Sequence, residues 1–241
     1  MTRIAAAKEA GEENGAPQAR RRLRGLYAPI PLAFLGLGVY RAWIEITFVG
    51  SFVNFPAFSL STRDLFDFSA VAEMVLFVLL ARRIGPLYTK RWPFALCAAA
   101  MLASTVLLFA SFFAPGLAGS LGVVTSVAGG VGLGLIILIW SELYGCLNPI
   151  RVTLYYAASL VVGALIIYLY MGLKMPWLFV MTALLPIVSL ASARKGFALL
   201  PEGERPQKAW VSISVPWKII LLMGFFAFSY GIVCLLYTSP S

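Results

Sequence analysis

The chain has 241 residues, 61% of them hydrophobic and 12% charged, with a formal net charge of +9 and a mean hydropathy of +0.88. That balance excludes an ordinary soluble domain, in which about a quarter of the residues are charged. Histidine is absent, and Cys97, Cys146 and Cys234 are widely separated. No disulfide framework or zinc motif can therefore be read, and the commonest acid–base catalyst near neutral pH is missing.

Crossing a hydrocarbon core of about 30 Å takes about 20 apolar residues. Seven runs qualify as spans: Ile30 to Gly50, Leu65 to Ala81, Phe94 to Ala114, Leu121 to Tyr144, Val152 to Leu173, Trp177 to Ala193 and Lys218 to Tyr237. Backbone polar groups find no water inside a bilayer, and these runs are continuously apolar rather than alternating. Helices are required and a barrel is excluded. The expected fold class is an all-α integral membrane protein, with the bilayer as its first partner.

Residues 1–27 read as a disordered tail ending in the basic cluster Arg20 to Arg24. The first apolar run begins too late and is too long for a cleavable signal peptide. Within that run stand Arg41 and Glu45, one helical turn apart and neighbours on one face. Charges at such depth normally face a bundle interior and find a partner. The pair is expected either to pin the first span to its neighbours or to form a site for a small ligand.

In the loop before the second span, Ser61-Thr62-Arg63-Asp64 has the spacing of a capping box. Glu73 lies about 12 Å inside the second span at 1.5 Å per residue, at a depth similar to that of Glu45. One arginine is then expected to serve both carboxylates. A desolvated glutamate without a full counter-charge is a candidate proton site, the alternative being a neutral side chain bonded to a helix neighbour.

Along the fourth span Gly122, Ser126, Gly130 and Gly134 recur every four residues, a stripe that lets two helix backbones approach closely. The stretch Gly130 to Gly134 is no phosphate loop, since it has no preceding strand and no lysine. Glu142, near the inner end, is expected to meet Arg151 just past Asn148-Pro149 as an interfacial pair. The tryptophans read as interfacial anchors, Trp43 excepted, since it adjoins the charged pair. Short connections force neighbouring helices antiparallel. The bundle is expected over 28–193, a polar inner loop over 194–217, and a seventh span over 218–237.

A cytoplasmic N-terminus places all of the 19 Lys and Arg residues on the inner side except Arg41, Arg63 and Lys174. This is the asymmetry of the positive-inside rule, and it predicts a multi-pass protein of the cell membrane with its N-terminus inside.

Six spans, a longer basic inner loop and the start of a seventh resemble the first half of a major facilitator (MFS-type) bundle, which is built from two six-helix halves. Arg83-Ile84-Gly85 matches the Arg-x-Gly core of that superfamily's loop motif Gly-x-x-x-Asp-Arg-x-Gly-Arg, with Arg82 in place of Asp and Pro86 in place of Arg. The segments Gly36 to Trp43 and Trp140 to Tyr156 further resemble the membrane portion of bacterial LuxR-type regulators. That resemblance implies a facilitator-like sensor whose output passes to DNA through a C-terminal helix-turn-helix that this chain does not contain. Residues 235–241 look like adapter read-through, so the natural protein is expected to continue. The expected function is ligand sensing around Arg41, Glu45 and Glu73, the ligand unspecified, with a proton-coupled transporter half as the alternative. No cofactor, metal or enzymatic constellation is expected, and the oligomeric state is not legible.

Overall fold

The computed structural model describes residues 31–50 and 53–205. The expected tail (1–27), seventh span (218–237) and end segment (235–241) lie outside the described residues. Among those described, every regular element is helical. Leu32–Leu35 form a 3₁₀ turn, Gly36–Ile44 form α1 and Glu45–Val49 close it with a π turn. Then come α2 (Leu60–Ile84), α3 (Trp92–Ala110), α4 (Ala118–Gly145), α5 (Pro149–Tyr170) and α6 (Met175–Leu199).

Local chemistry sets the helix ends. Ser59 and Thr62 bond reciprocally before α2, the Ser59 N–H donating to Thr62 Oγ1 at 2.8 Å and the Thr62 N–H to Ser59 Oγ at 3.3 Å. The cap therefore falls at Ser59–Thr62, two residues earlier than the Ser61–Asp64 reading, because the helix starts at Leu60. At the other end of α2, Gly85 takes φ 69°, the left-handed geometry that ends helices, and Pro86 blocks continuation. Pro93, Pro149 and Pro176 sit in the first turns of α3, α5 and α6, where a missing N–H costs nothing. Asn148 caps α5 by accepting the Ile150 N–H at 3.0 Å. Pro186 lies inside α6, and Thr182 one turn earlier keeps a buried hydroxyl without a partner.

Five helical segments are long and apolar enough to cross a membrane: Leu32–Val49, Trp92–Ala110, Pro115–Gly145, Pro149–Tyr170 and Met175–Leu199. The 25-residue α2 is more polar, with charges at both ends and Glu73 between them. The sixth helix runs past Ala193 to Leu199, so Arg194 and Lys195 are helical rather than part of the expected 194–217 loop. Arg194 lies over the Phe94 ring, 4.6 Å from its centre.

The core collects large side chains from α1, α3 and α4: Trp43, Ile46, Met101, Leu135, Ile136, Ile139, Trp140 and Leu143 are all 1% exposed or less. The outer surface is apolar as well, with Phe68, Leu79, Phe113, Tyr168 and Leu169 more than 60% exposed. A surface of that kind is at home in hydrocarbon, not in water.

The principal helix contacts map onto one another when the first three helices are exchanged for the last three. α1 packs on α5 and α6, α4 packs on α2 and α3, and α3 meets α6. The sequence carries the same relation, since Gly36-Leu37-Gly38 of α1 recurs as Gly132-Leu133-Gly134 of α4. A Cβ on Gly36 would meet Ser192 of α6, and one on Gly132 would meet Met101 of α3. A Cβ on Gly38 would overlap Ser159 of α5, and one on Gly134 would overlap Glu73 of α2. Indole bonds repeat the pattern: Trp43 Nε1 donates to Thr105 Oγ1 at 2.9 Å and Trp140 Nε1 to Ser189 Oγ at 3.0 Å. So do hydroxyl bonds, with Ser69 Oγ donating to the Ser126 carbonyl and Ser159 Oγ to that of Phe34, each at 3.3 Å.

Candidate functional site

Three carboxylates, Glu45, Glu73 and Glu142, and two guanidiniums, Arg41 and Arg151, carry the chemistry expected from the sequence, and the fold separates them. On α1, Gly38, Ala42 and Ile46 form one buried stripe against the other helices. Arg41, Glu45 and Val49 form the neighbouring stripe and turn outward, with Arg41 and Val49 exposed and Glu45 half-buried. No ion pair within 4.0 Å joins Arg41 to Glu45 among the described residues. The expected buried pair is thus an outward-facing polar stripe, because the small residues of α1 take the close approach to α5 and α6. Glu45 opens the π turn, and its N–H reaches the carbonyls of both Arg41 and Ala42. Such local widening of a helix is frequent at functional positions.

Glu73 stands apart from that stripe. Its helix packs on α4, whereas α1 packs on α5 and α6, so one arginine does not serve both carboxylates. The Glu73 side chain is 7% exposed and lies against Gly134, where a Cβ would collide with it. Both of its carboxylate oxygens are buried without a hydrogen-bond partner. An ionised carboxylate left so costs several kcal/mol, whereas a neutral one lacking its bond costs about 1–3 kcal/mol.

The small-residue stripe lies along the same α2–α4 seam. Gly122, Ser126, Gly130 and Gly134 are all buried. A Cβ on Gly130 would stand 2.5 Å from the Phe66 carbonyl oxygen, and one on Gly122 3.0 Å from Thr62 Cγ2. Only Gly at these positions lets the two backbones come this close.

Neither a family model, nor a curated protein, nor a solved structure matches the chain.

Glu142 is engaged differently from its expectation. Its carboxylate accepts the Leu87 N–H at 2.8 and 3.0 Å and the Tyr88 N–H at 3.1 Å, while Arg151 is exposed one helix further on. The Glu142–Arg151 pair is replaced by a clamp on the α2–α3 turn, since Pro86 presents the next two N–H groups unpaired at the start of a short 3₁₀ turn. A cavity of about 300 Å³ lies beside the clamp, lined by Phe77, Ile84, Gly85, Leu87, Leu138, Ser141 and Glu142.

Trp140 is not the expected interfacial anchor: it is 1% exposed and bonded across to α6. Trp92 and Trp177 stand at helix starts, 43% and 61% exposed. Trp43 faces the core, 0% exposed, and does not line a pocket with Arg41. The recurrent Gly-Leu-Gly was the missed signal. It marks the two helices, α1 and α4, about which the others are arranged. No group of three or more metal-binding side chains gathers among the described residues.

Proposed function

We propose that the chain is the first half of a facilitator-like bundle, serving as the ligand-responsive membrane region of a LuxR-type regulator. The observation that carries this reading is the three-plus-three recurrence of packing, in which α1 and α4 hold equivalent places. Three spans per repeat reverse the direction of the second repeat in the membrane, the arrangement of inverted-repeat bundles that bind solutes between their parts. The outward stripe of Arg41 and Glu45 on α1 then belongs to a face completed by the following half, where an anionic or zwitterionic solute would meet both charges. A solute acts there by binding one bundle arrangement more tightly than another. Arg82 and Pro86, in place of the facilitator loop's Asp and Arg, favour sensing over transport. The N-terminus is assigned to the cytoplasm on the distribution of positive charge.

The test introduces Arg41→Ala and Glu45→Ala into the complete gene product, reading transcription in a reporter strain and solute uptake in vesicles. Transcription changed in both variants, with no uptake by the parent protein, is the expected result. Uptake by the parent that either substitution abolishes would replace sensing with proton-coupled transport.

A further inference from the structure

We infer that Glu73 is a proton-binding site whose occupancy fastens α2 to α4 and whose emptying loosens that seam. The carboxyl lies on the backbone of α4 at Gly134, 7% exposed, with neither oxygen in a hydrogen bond. A buried polar group left without a partner in an otherwise well-bonded fold calls for a ligand or a function.

The surroundings select the ligand. A sodium, magnesium or calcium ion requires several oxygen ligands, and no hydroxyl, amide or second carboxylate is bonded to Glu73. A proton requires only the carboxylate. From α4 the seam presents the backbone of Gly130 and Gly134 and no titratable side chain. From α3 it faces Cys97, whose thiol donates to the Gly132 carbonyl at 3.3 Å. On α2 itself Asp67, Asp64 and Arg63 are exposed towards one end, and Arg83, ten residues beyond Glu73, is exposed at the other. On α4 the nearest charge is Glu142, eight residues on and already occupied by Leu87 and Tyr88. No cation among these groups compensates an ionised Glu73.

Loss of the proton therefore leaves a bare carboxylate pressed against α4. It gains solvation only by drawing away from Gly134, and the Ser69-to-Ser126 bond in the same seam is strained with it. The proposal rests on the α2–α4 geometry and not on sensing or transport, so either functional reading can fail without it.

Infrared difference spectroscopy of the full chain in phosphatidylcholine nanodiscs tests occupancy. At neutral pH the native protein is expected to show a protonated-carboxyl C=O band that Glu73→Gln lacks and Glu73→Asp retains at a shifted position. Amide hydrogen exchange over residues 126–134 tests the seam: native protein and Glu73→Gln should match at neutral pH and diverge by about tenfold at alkaline pH, the native chain exchanging faster. A native spectrum with no band removed by Glu73→Gln would overturn the site. Equal exchange at alkaline pH would overturn the coupling. Should Glu73→Gln fail to fold, disappearance of the native band on alkalinisation, matched by the shifted band in Glu73→Asp, decides occupancy.

Discussion

Glu142 shows how a single side chain takes its role from distant backbone. Its carboxylate holds the turn at Leu87 and Tyr88 with three contacts of 2.8 to 3.1 Å, across more than fifty residues of sequence. Glu142→Ala is expected to destabilise the protein by about 1–3 kcal/mol, since two half-buried N–H groups lose their acceptor. Glu142→Gln, which keeps one carbonyl oxygen, should cost less. Unfolding in mixed micelles measures both, and equal stability of Glu142→Ala and the parent would contradict the clamp. The depth of Glu142 near a helix end was legible in the sequence. Its partner was not, because the nearest cation along the chain, Arg151, sits beyond the break at Asn148-Pro149 and faces outward.

Among the elements, α1 and α4 are set by their glycines. A Cβ at Gly38 would run into the Ser159 carbonyl of α5, which is backbone and cannot swing aside. Gly38→Ala should force α1 and α5 apart and cost about 1–3 kcal/mol as overpacking does. Gly119, on the exposed first turn of α4, has nothing within 4 Å of where a Cβ would stand. Gly119→Ala should be neutral or stabilise by up to about 1 kcal/mol through helix propensity. Thermal unfolding of the two variants side by side checks the contrast, and a Gly38→Ala protein as stable as Gly119→Ala would refute close packing of α1 on α5. The stripe from Gly122 to Gly134 could be read from its four-residue spacing alone, but which helix it receives is a matter of topology. That helix is α2, the most polar of the six.

For the molecule as a whole, the recurrence of α1 to α3 in α4 to α6 predicts that equivalent contacts carry equivalent weight. Trp43 and Trp140 each donate one buried indole bond, to Thr105 and to Ser189. Trp43→Phe and Trp140→Phe should therefore cost similar amounts, about 1 kcal/mol each for the lost bond, with further losses of packing of the same order. Denaturant unfolding decides, and costs differing by several kcal/mol would deny the two helices equivalent places.

The sequence by itself determined that the described chain is helical, with segments long and apolar enough to cross a membrane, and about where those helices begin, because apolar length, proline and capping residues act within a few neighbours. It also exposed the charged positions in the first and second spans. Only the tertiary structure decided which way those charges turn: Arg41 and Glu45 outward, Glu73 against Gly134, Glu142 onto a loop. In a span that is apolar on every side, periodicity marks no inner face. The inner face is chosen instead by where glycine lets another backbone come close, and that choice is made jointly by two helices far apart in the chain.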